Sequence, residues 1–485
     1  MVIYNALVLN DGKPQSFFDH TAYITIISVE FWFRLLHAIG LLDSYSLSTF
    51  PPASDAAAFD AAMIQAVRAG RVYAWLTATV CVLIFASLSR RLLRDWRIAQ
   101  IATFAFAFSG AMALHSRILR SEFIAAAPVL FALMILILIG RRASSSRPLA
   151  MAGAAALCVL GLENKVQAIL LIGALPPLML PFGGSTSASV AFWRNARSRW
   201  LPVVLAAAVA APAAWAAWPL IVIGFDHELL HAAQFRPLLL GRFGLYQPAL
   251  VILIGGCMIA YAVIWRVSVA ETLASIFAMT AAALAMLLAL NLQYNTGNVI
   301  AVFNPLEKML VFADADTVGA ASEPTLSTIL LLLDGVASVL RRYTFVLHPS
   351  PRPTVFLTWL IIPGIAYAWR RRENQAAVQA LLLLLTAVGI DALGVRRGLK
   401  AEYFIFTDPL IILAGALLLD SLNDLRFHNW AYPVAAVLFV LHIVVGQAEP
   451  VKYAYMRRGP ESICQWQPHY APLLPLPWCP SEARP

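Results

Sequence analysis

The chain is predicted to be an all-α polytopic membrane protein, and three observations predict it. Of its 485 residues 60% are hydrophobic and 13% are charged, about half the charge of a soluble domain. Mean hydropathy is +0.74. Apolar runs of about twenty residues recur between Val72 and Val445, each long enough to cross a hydrocarbon core. Runs such as Phe123-Ile124-Ala125-Ala126-Ala127 and Leu381-Leu382-Leu383-Leu384-Leu385 lack the period-two alternation that a transmembrane barrel needs.

Runs and their flanks give about twelve spans, at 71–88, 98–115, 122–140, 149–162, 166–182, 201–223, 246–265, 270–291, 353–369, 376–394, 403–421 and 430–447. They divide the chain into an N-terminal segment (1–70), a first bundle (71–291), a long loop (292–352), a second bundle (353–447) and a tail (448–485). Arginines cluster in short loops: Arg90, Arg91, Arg94 and Arg97; Arg141, Arg142 and Arg147; Arg194, Arg197 and Arg199; Arg266; Arg370, Arg371 and Arg372. Loops of mixed charge alternate with them. This is the positive-inside pattern, so the net charge of +9 reports topology and no nucleic-acid partner is expected. With the arginine loops in the cytoplasm, residues 1–70, 116–121, 163–165, 224–245, 292–352, 395–402 and the tail lie on the outer face. No signal peptide precedes residue 20. Because residues 1–70 are sent across the membrane, an upstream span missing from this chain is expected.

Outside the spans, Thr21–Leu42 is apolar but carries Glu30, Arg34 and His37 at spacings of four and three, one stripe of a helix lying on the outer surface. Asp55–Arg71, with Asp55, Asp60, Gln65 and Arg68 among alanines, reads as a second surface helix. Within the long loop, Val299–Phe312 and Leu326–Leu340 are expected to form a cap. Pro176, Pro177 and Pro181 should kink or end a span. Cys81, Cys158 and Cys257 lie in apolar runs as small core residues. Cys464 and Cys479 in the tail can pair if the tail faces an oxidising compartment.

One clump of charge is not explained by hydrophobicity: Leu114-His115-Ser116-Arg117-Ile118-Leu119-Arg120-Ser121-Glu122, at the junction of two spans. It belongs to a wider outer-face set: Asp19, His20, Arg117, Arg120, Glu122, Glu163, Lys165, Arg396, Arg397, Lys400 and Glu402. Charge beside hydrocarbon is costly, so such residues face a cavity or a partner, or else snorkel at helix ends. Basic groups can hold a lipid phosphate and stabilise leaving-group charge, and a carboxylate can take the proton of an attacking hydroxyl. A transporter or flippase is the main rival class, but it tends to place charge at mid-membrane, where the spans show little besides Asp391. His227-Glu228-Leu229-Leu230-His231 matches the H-E-x-x-H zinc-protease pattern with no third ligand at a familiar spacing, and a chance match is the expectation.

Several stretches resemble the integral-membrane glycosyltransferases of the GT-C type, especially those similar to bacterial protein mannosyltransferases and the lipid A aminoarabinose transferase. They are Asn10-Asp11-Gly12-Lys13-Pro14 with Phe18-Asp19-His20-Thr21, Arg68-Ala69-Gly70-Arg71, the 116–122 clump, Gly161-Leu162-Glu163-Asn164-Lys165, and Lys400-Ala401-Glu402 running to Thr407-Asp408-Pro409. The resemblance covers residues 1–182 and 396–425. It implies a polyprenyl-phosphate-linked sugar donor, a lipid, glycan or protein acceptor, and inversion at the anomeric carbon at the outer face of the plasma (inner) membrane. Divalent-metal dependence varies within this fold. The family's first acidic residue, just after its first span, has no counterpart before Tyr4, and Asp19 is its substitute candidate. Glu122 matches the second acidic position. His20, Arg117, Arg120, Lys165, Arg396 and Lys400 are the substrate-binding candidates that go with them.

Overall fold

The computed structural model describes residues 1–13, 22–141, 147–179, 196–223, 252, 255–263, 265, 267–294, 326–347, 352, 354–394, 401–422, 428–456 and 460–479. Every regular element within them is helical. Five helices are long and apolar enough to cross a bilayer: Ala56–Leu92, Ser121–Gly140, Trp200–Pro219, Val269–Leu290 and Asn374–Ala392. Ala168–Met179 and Val355–Arg370 are shorter apolar helices. The chain is a helical membrane protein.

The N-terminal segment forms α1 (Val2–Asn10) and α2 (Tyr23–Ala38). The stripe expected on α2 is present: Glu30 pairs with Arg34 at 2.6 Å, and His37 stacks on Tyr45 with centroids 4.0 Å apart. Its other face buries Tyr23, Ile26, Val29 and Phe33. α3 (Ala56–Leu92) differs from expectation, because the surface helix and the first span are one helix of 37 residues. Asp55 caps it, accepting from the Ala58 backbone at 3.0 Å. Only Gly70 interrupts a helix-favouring composition, and one glycine weakens a helix without ending it. At 1.5 Å per residue α3 is about 55 Å long, well beyond a hydrocarbon core of about 30 Å.

The expected span 98–115 is two helices, α4 (Trp96–Ala107) and α5 (Gly110–His115). Ser109 starts the second, its hydroxyl accepting from Met112 at 3.3 Å. α6 (Ser121–Arg141) is central, with 89% of its spanning window buried. α7 (Arg147–Asn164) lies against it. A Cβ on Gly161 would stand 2.6 Å from the Ala125 carbonyl oxygen, so this close approach requires glycine. α8 (Ala168–Met179) holds Pro176 and Pro177 within the helix. α9 (Ala196–Ile223) and α10 (Val269–Tyr294) pack together, and α10 also lies on α7. Only 17% of the α9 window is buried. Its Trp200, Leu201, Val204, Leu205, Val209 and Trp215 are each more than half exposed, an apolar face suited to lipid.

Later in the chain come α11 (Leu326–Thr344), α12 (Val355–Arg370), α13 (Asn374–Gly394), α14 (Asp408–Leu422) and α15 (His428–Tyr455). Leu326–Leu340 is helical as expected. It packs on α13, where a Cβ on Gly335 would meet the Ala392 carbonyl oxygen at 2.9 Å. Val299–Phe312 lies outside the described residues. A short 3-10 segment, Ala401–Phe406, leads directly into α14.

In the tail, α16 (Pro460–Tyr470) is closed by a Cys464–Cys479 disulfide. Leu474 and Leu476 pack against Tyr4, Val8 and Phe59, and the Leu473 backbone donates to the Tyr4 hydroxyl at 3.1 Å. Tail and N-terminal segment therefore pack against each other. At the other end, the Asp420 carboxylate accepts the backbone N–H groups of Arg94 and Asp95 at 2.9 and 3.0 Å, fixing the turn between α3 and α4.

Candidate functional site

Three of the candidates, Arg120 and Glu122 from one stretch and Lys165 from another, converge. α5 ends at buried His115, and the turn after it carries Arg120 into Glu122 in the first turn of α6. Lys165 follows the end of α7 and places Nζ 2.5 Å from Glu122 Oε1. Arg120 reaches the second oxygen of Glu122 at 3.3 Å. A fourth residue completes the cluster. Glu402, on the 3-10 segment, receives a two-toothed grip from Arg120 at 2.8 and 2.9 Å. His115 Nε2 lies 3.0 Å from the Glu402 backbone oxygen, and Lys165 Nζ stands 5.6 Å from the centre of the Tyr403 ring.

The side chains of Glu122 and Lys165 are 2% exposed, whereas that of Arg120 is 33% exposed. Burial disfavours the Arg120 cation, yet the two carboxylates outweigh it and raise its pKa. Arg120 is thus the point at which an outside group can reach the cluster. Lys165, expected as a phosphate contact, is instead buried and engaged by Glu122. Both oxygens of Glu122 already accept from cations. Arg117 is exposed and has no ion-pair partner among the described residues.

Next to Lys165, Asn164 is fully buried and binds three ways. Its Oδ1 accepts from the Thr25 backbone at 3.0 Å and from the Thr25 hydroxyl at 2.9 Å, and its Nδ2 donates to the Ser121 oxygen at 2.6 Å. This ties α2 to the α6–α7 pair beside the cluster. Glu163 contrasts with it: it is 1% exposed and neither carboxyl oxygen has a hydrogen-bond partner among the described residues. Burial pushes its pKa well above the usual carboxylate range.

A second cluster joins Asp391 and the Thr407-Asp408 pair, both picked out in the sequence, to Arg352, which was not. Arg352 forms ion pairs with Asp391 and, at 2.9 Å, with Asp408. Thr407 receives a hydrogen bond from Arg352 and donates to Asp391 at 2.9 Å, and Tyr343 donates to Asp391 at 2.9 Å. The guanidinium carbon of Arg352 lies 4.1 Å from the centre of the Phe404 ring. All three charged residues are buried. In the sequence, Thr407-Asp408-Pro409 signals a helix start, and nothing around Arg352 marks it.

The structure brings Arg120, Glu122 and Lys165 together and leaves Arg117 beside them. Asp19, His20, Arg396 and Lys400 lie outside the described residues, as does the His227–His231 motif. Among the described residues no group of three or more His, Cys, Asp or Glu side chains is arranged to hold a metal ion. A cleft of about 610 Å³ lies elsewhere on the N-terminal segment, lined by residues including Asp43, Ser44, Gln65 and Arg68. Comparison with protein-family models, curated proteins and solved structures finds no match to this chain.

Proposed function

We propose that the chain is an inverting glycosyltransferase of the GT-C type. It moves a sugar from a polyprenyl-phosphate donor to an acceptor hydroxyl at the outer face of the plasma (inner) membrane, which it crosses about twelve times. The observation that carries this reading is the meeting of Arg120, Glu122, Lys165 and Glu402 from three chain segments in one cluster that opens at Arg120. Desolvated charges gathered at a membrane surface suit the recognition of a lipid phosphate. In this reading the acceptor oxygen bonds to the anomeric carbon and loses its proton to a carboxylate. The bond from that carbon to the phosphate oxygen breaks, and the lipid phosphate departs against Arg120 and Arg117. Since both Glu122 oxygens are occupied by cations, its part is to position Arg120, and Asp19 remains the candidate base.

The test uses purified full-length chain in liposomes with a panel of synthetic polyprenyl-phosphate sugars, measuring release of polyprenyl phosphate. Arg120→Ala should lower the rate by about 100-fold, the scale of one lost transition-state donor. Unchanged turnover in a folded Arg120→Ala protein refutes the site. The buried Arg352–Asp391–Asp408 cluster favours a second reading, a transporter or flippase, because intramembrane charge marks substrate or ion paths. Movement of the lipid-linked substrate across the bilayer with no loss of its sugar would establish that reading instead.

A further inference from the structure

We infer that Glu402 is a built-in occupant of the anion seat on Arg120, and that a phosphate must displace it to bind. This deepens the proposed function and rests on it. The two oxygens of Glu402 lie 2.8 and 2.9 Å from the two terminal nitrogens of Arg120. That parallel fork is also the geometry by which a guanidinium grips a phosphate. Arg120 is the most exposed member of the cluster, at 33% against 6% for Glu402, so an arriving head group would meet Arg120 first.

Charge points the same way. With Glu402 in place the cluster holds two cations, Arg120 and Lys165, and two carboxylates, Glu122 and Glu402, and is neutral. With the Glu402 side chain turned away it carries one net positive charge, which an anionic phosphate would neutralise. The backbone of the segment does not depend on this ion pair. His115 Nε2 holds it at the Glu402 oxygen at 3.0 Å, and Thr407 and Asp408 are fastened to Arg352 at its other end. Glu402 can therefore release Arg120 by side-chain rotation while residues 401–408 stay in place. Glu122 cannot do the same, because Lys165 grips it from the buried side. The resting protein is thus self-inhibited toward anionic lipid.

The experiment measures binding of a sugar-free short-chain polyprenyl phosphate to full-length protein in nanodiscs of neutral lipid, with inorganic phosphate as a parallel probe. Glu402→Gln and Glu402→Ala should each bind the lipid about tenfold more tightly than the parent, and adding Arg120→Ala should abolish the gain. Equal gain for inorganic phosphate would place recognition in the phosphate alone; gain confined to the lipid would place the tail in the site as well. Either result supports the displacement. Binding by the parent that neither Glu402 variant improves overturns the inference and leaves the proposed function standing. No lipid binding by the parent or by either folded variant overturns both.

Discussion

The Glu122–Lys165 pair sets a quantitative trap for the cluster. Both side chains are 2% exposed and their charged atoms stand 2.5 Å apart. Removing one partner of such a pair strands the other in a poorly solvated place, at a cost of about 3–5 kcal/mol. Lys165→Met keeps the aliphatic stem and deletes the charge. Glu122 would retain Arg120 at 3.3 Å, so about 3 kcal/mol is expected, the lower end of that range. Glu122→Gln should cost more, about 4 kcal/mol, since Lys165 then keeps an amide oxygen and the Tyr403 ring face at 5.6 Å but loses its counter-charge. The double variant restores neutrality, with Arg120 still paired to Glu402, and should be less destabilised than either single variant. Helix content followed through an SDS titration in mixed micelles measures all three. A double variant that loses the sum of the two single losses would mean that the residues act independently, and the cluster reasoning would fail.

Three further outcomes are expected. Gly161→Ala should destabilise by about 1–3 kcal/mol in thermal unfolding, because its methyl meets the Ala125 oxygen at 2.6 Å. Gly153→Ala on the same helix, with nothing within 4 Å of the added carbon, should be neutral or stabilising. Burial raises the Glu30 pKa, outweighing the nearby Arg34. The stability that protonated Glu30 supplies is thus complete below the ordinary glutamate pKa and lost as pH rises through the higher folded value. Glu30→Gln should flatten that part of a melting-temperature profile, and an unchanged profile would count against a buried Glu30. Finally, a membrane-impermeant maleimide should label Arg117→Cys from outside sealed cells and Arg97→Cys only after permeabilisation. Labelling of both from one side would overturn the assignment of faces.

Hydropathy is summed over some twenty residues, so it locates membrane-crossing stretches well and says little about where a helix begins or breaks. Nothing between Asp55 and Leu92 stops a helix, so the outer stretch and the span fuse into α3. Between Trp96 and His115 the hydropathy is continuous, yet the cap at Ser109 divides the stretch in two. The charged clump at Arg117–Glu122 was legible because ionised groups beside hydrocarbon are few and expensive. Its partners were legible only as members of one face. That Arg120 takes Glu402, 282 residues away, follows from packing of α5 and α6 against the 3-10 segment, which no local pattern encodes. Arg352 and its pairing with Asp408 were hidden for a similar reason, because that pairing depends on the approach of α11, α13 and α14.

The two ionic clusters are not independent, because residues 402–408 belong to both. Glu402 at one end joins Arg120, and Thr407 and Asp408 at the other join Arg352. Between them the Tyr403 ring faces Lys165 and the Phe404 ring faces Arg352. A charge arriving at Arg120 therefore acts on a strip whose far end is anchored in the bundle through Asp391 and Tyr343. If that anchor is rigid, only the Glu402 side chain responds and the interior is undisturbed. If it yields, occupancy at the surface reaches α13 and α14. Arg352→Lys distinguishes the two: it keeps the charge but loses the planar fork that holds Asp408 and Thr407 together. A shift in lipid-phosphate affinity in that variant, with Arg120, Glu122 and Glu402 intact, would show that the surface site is set from within the membrane.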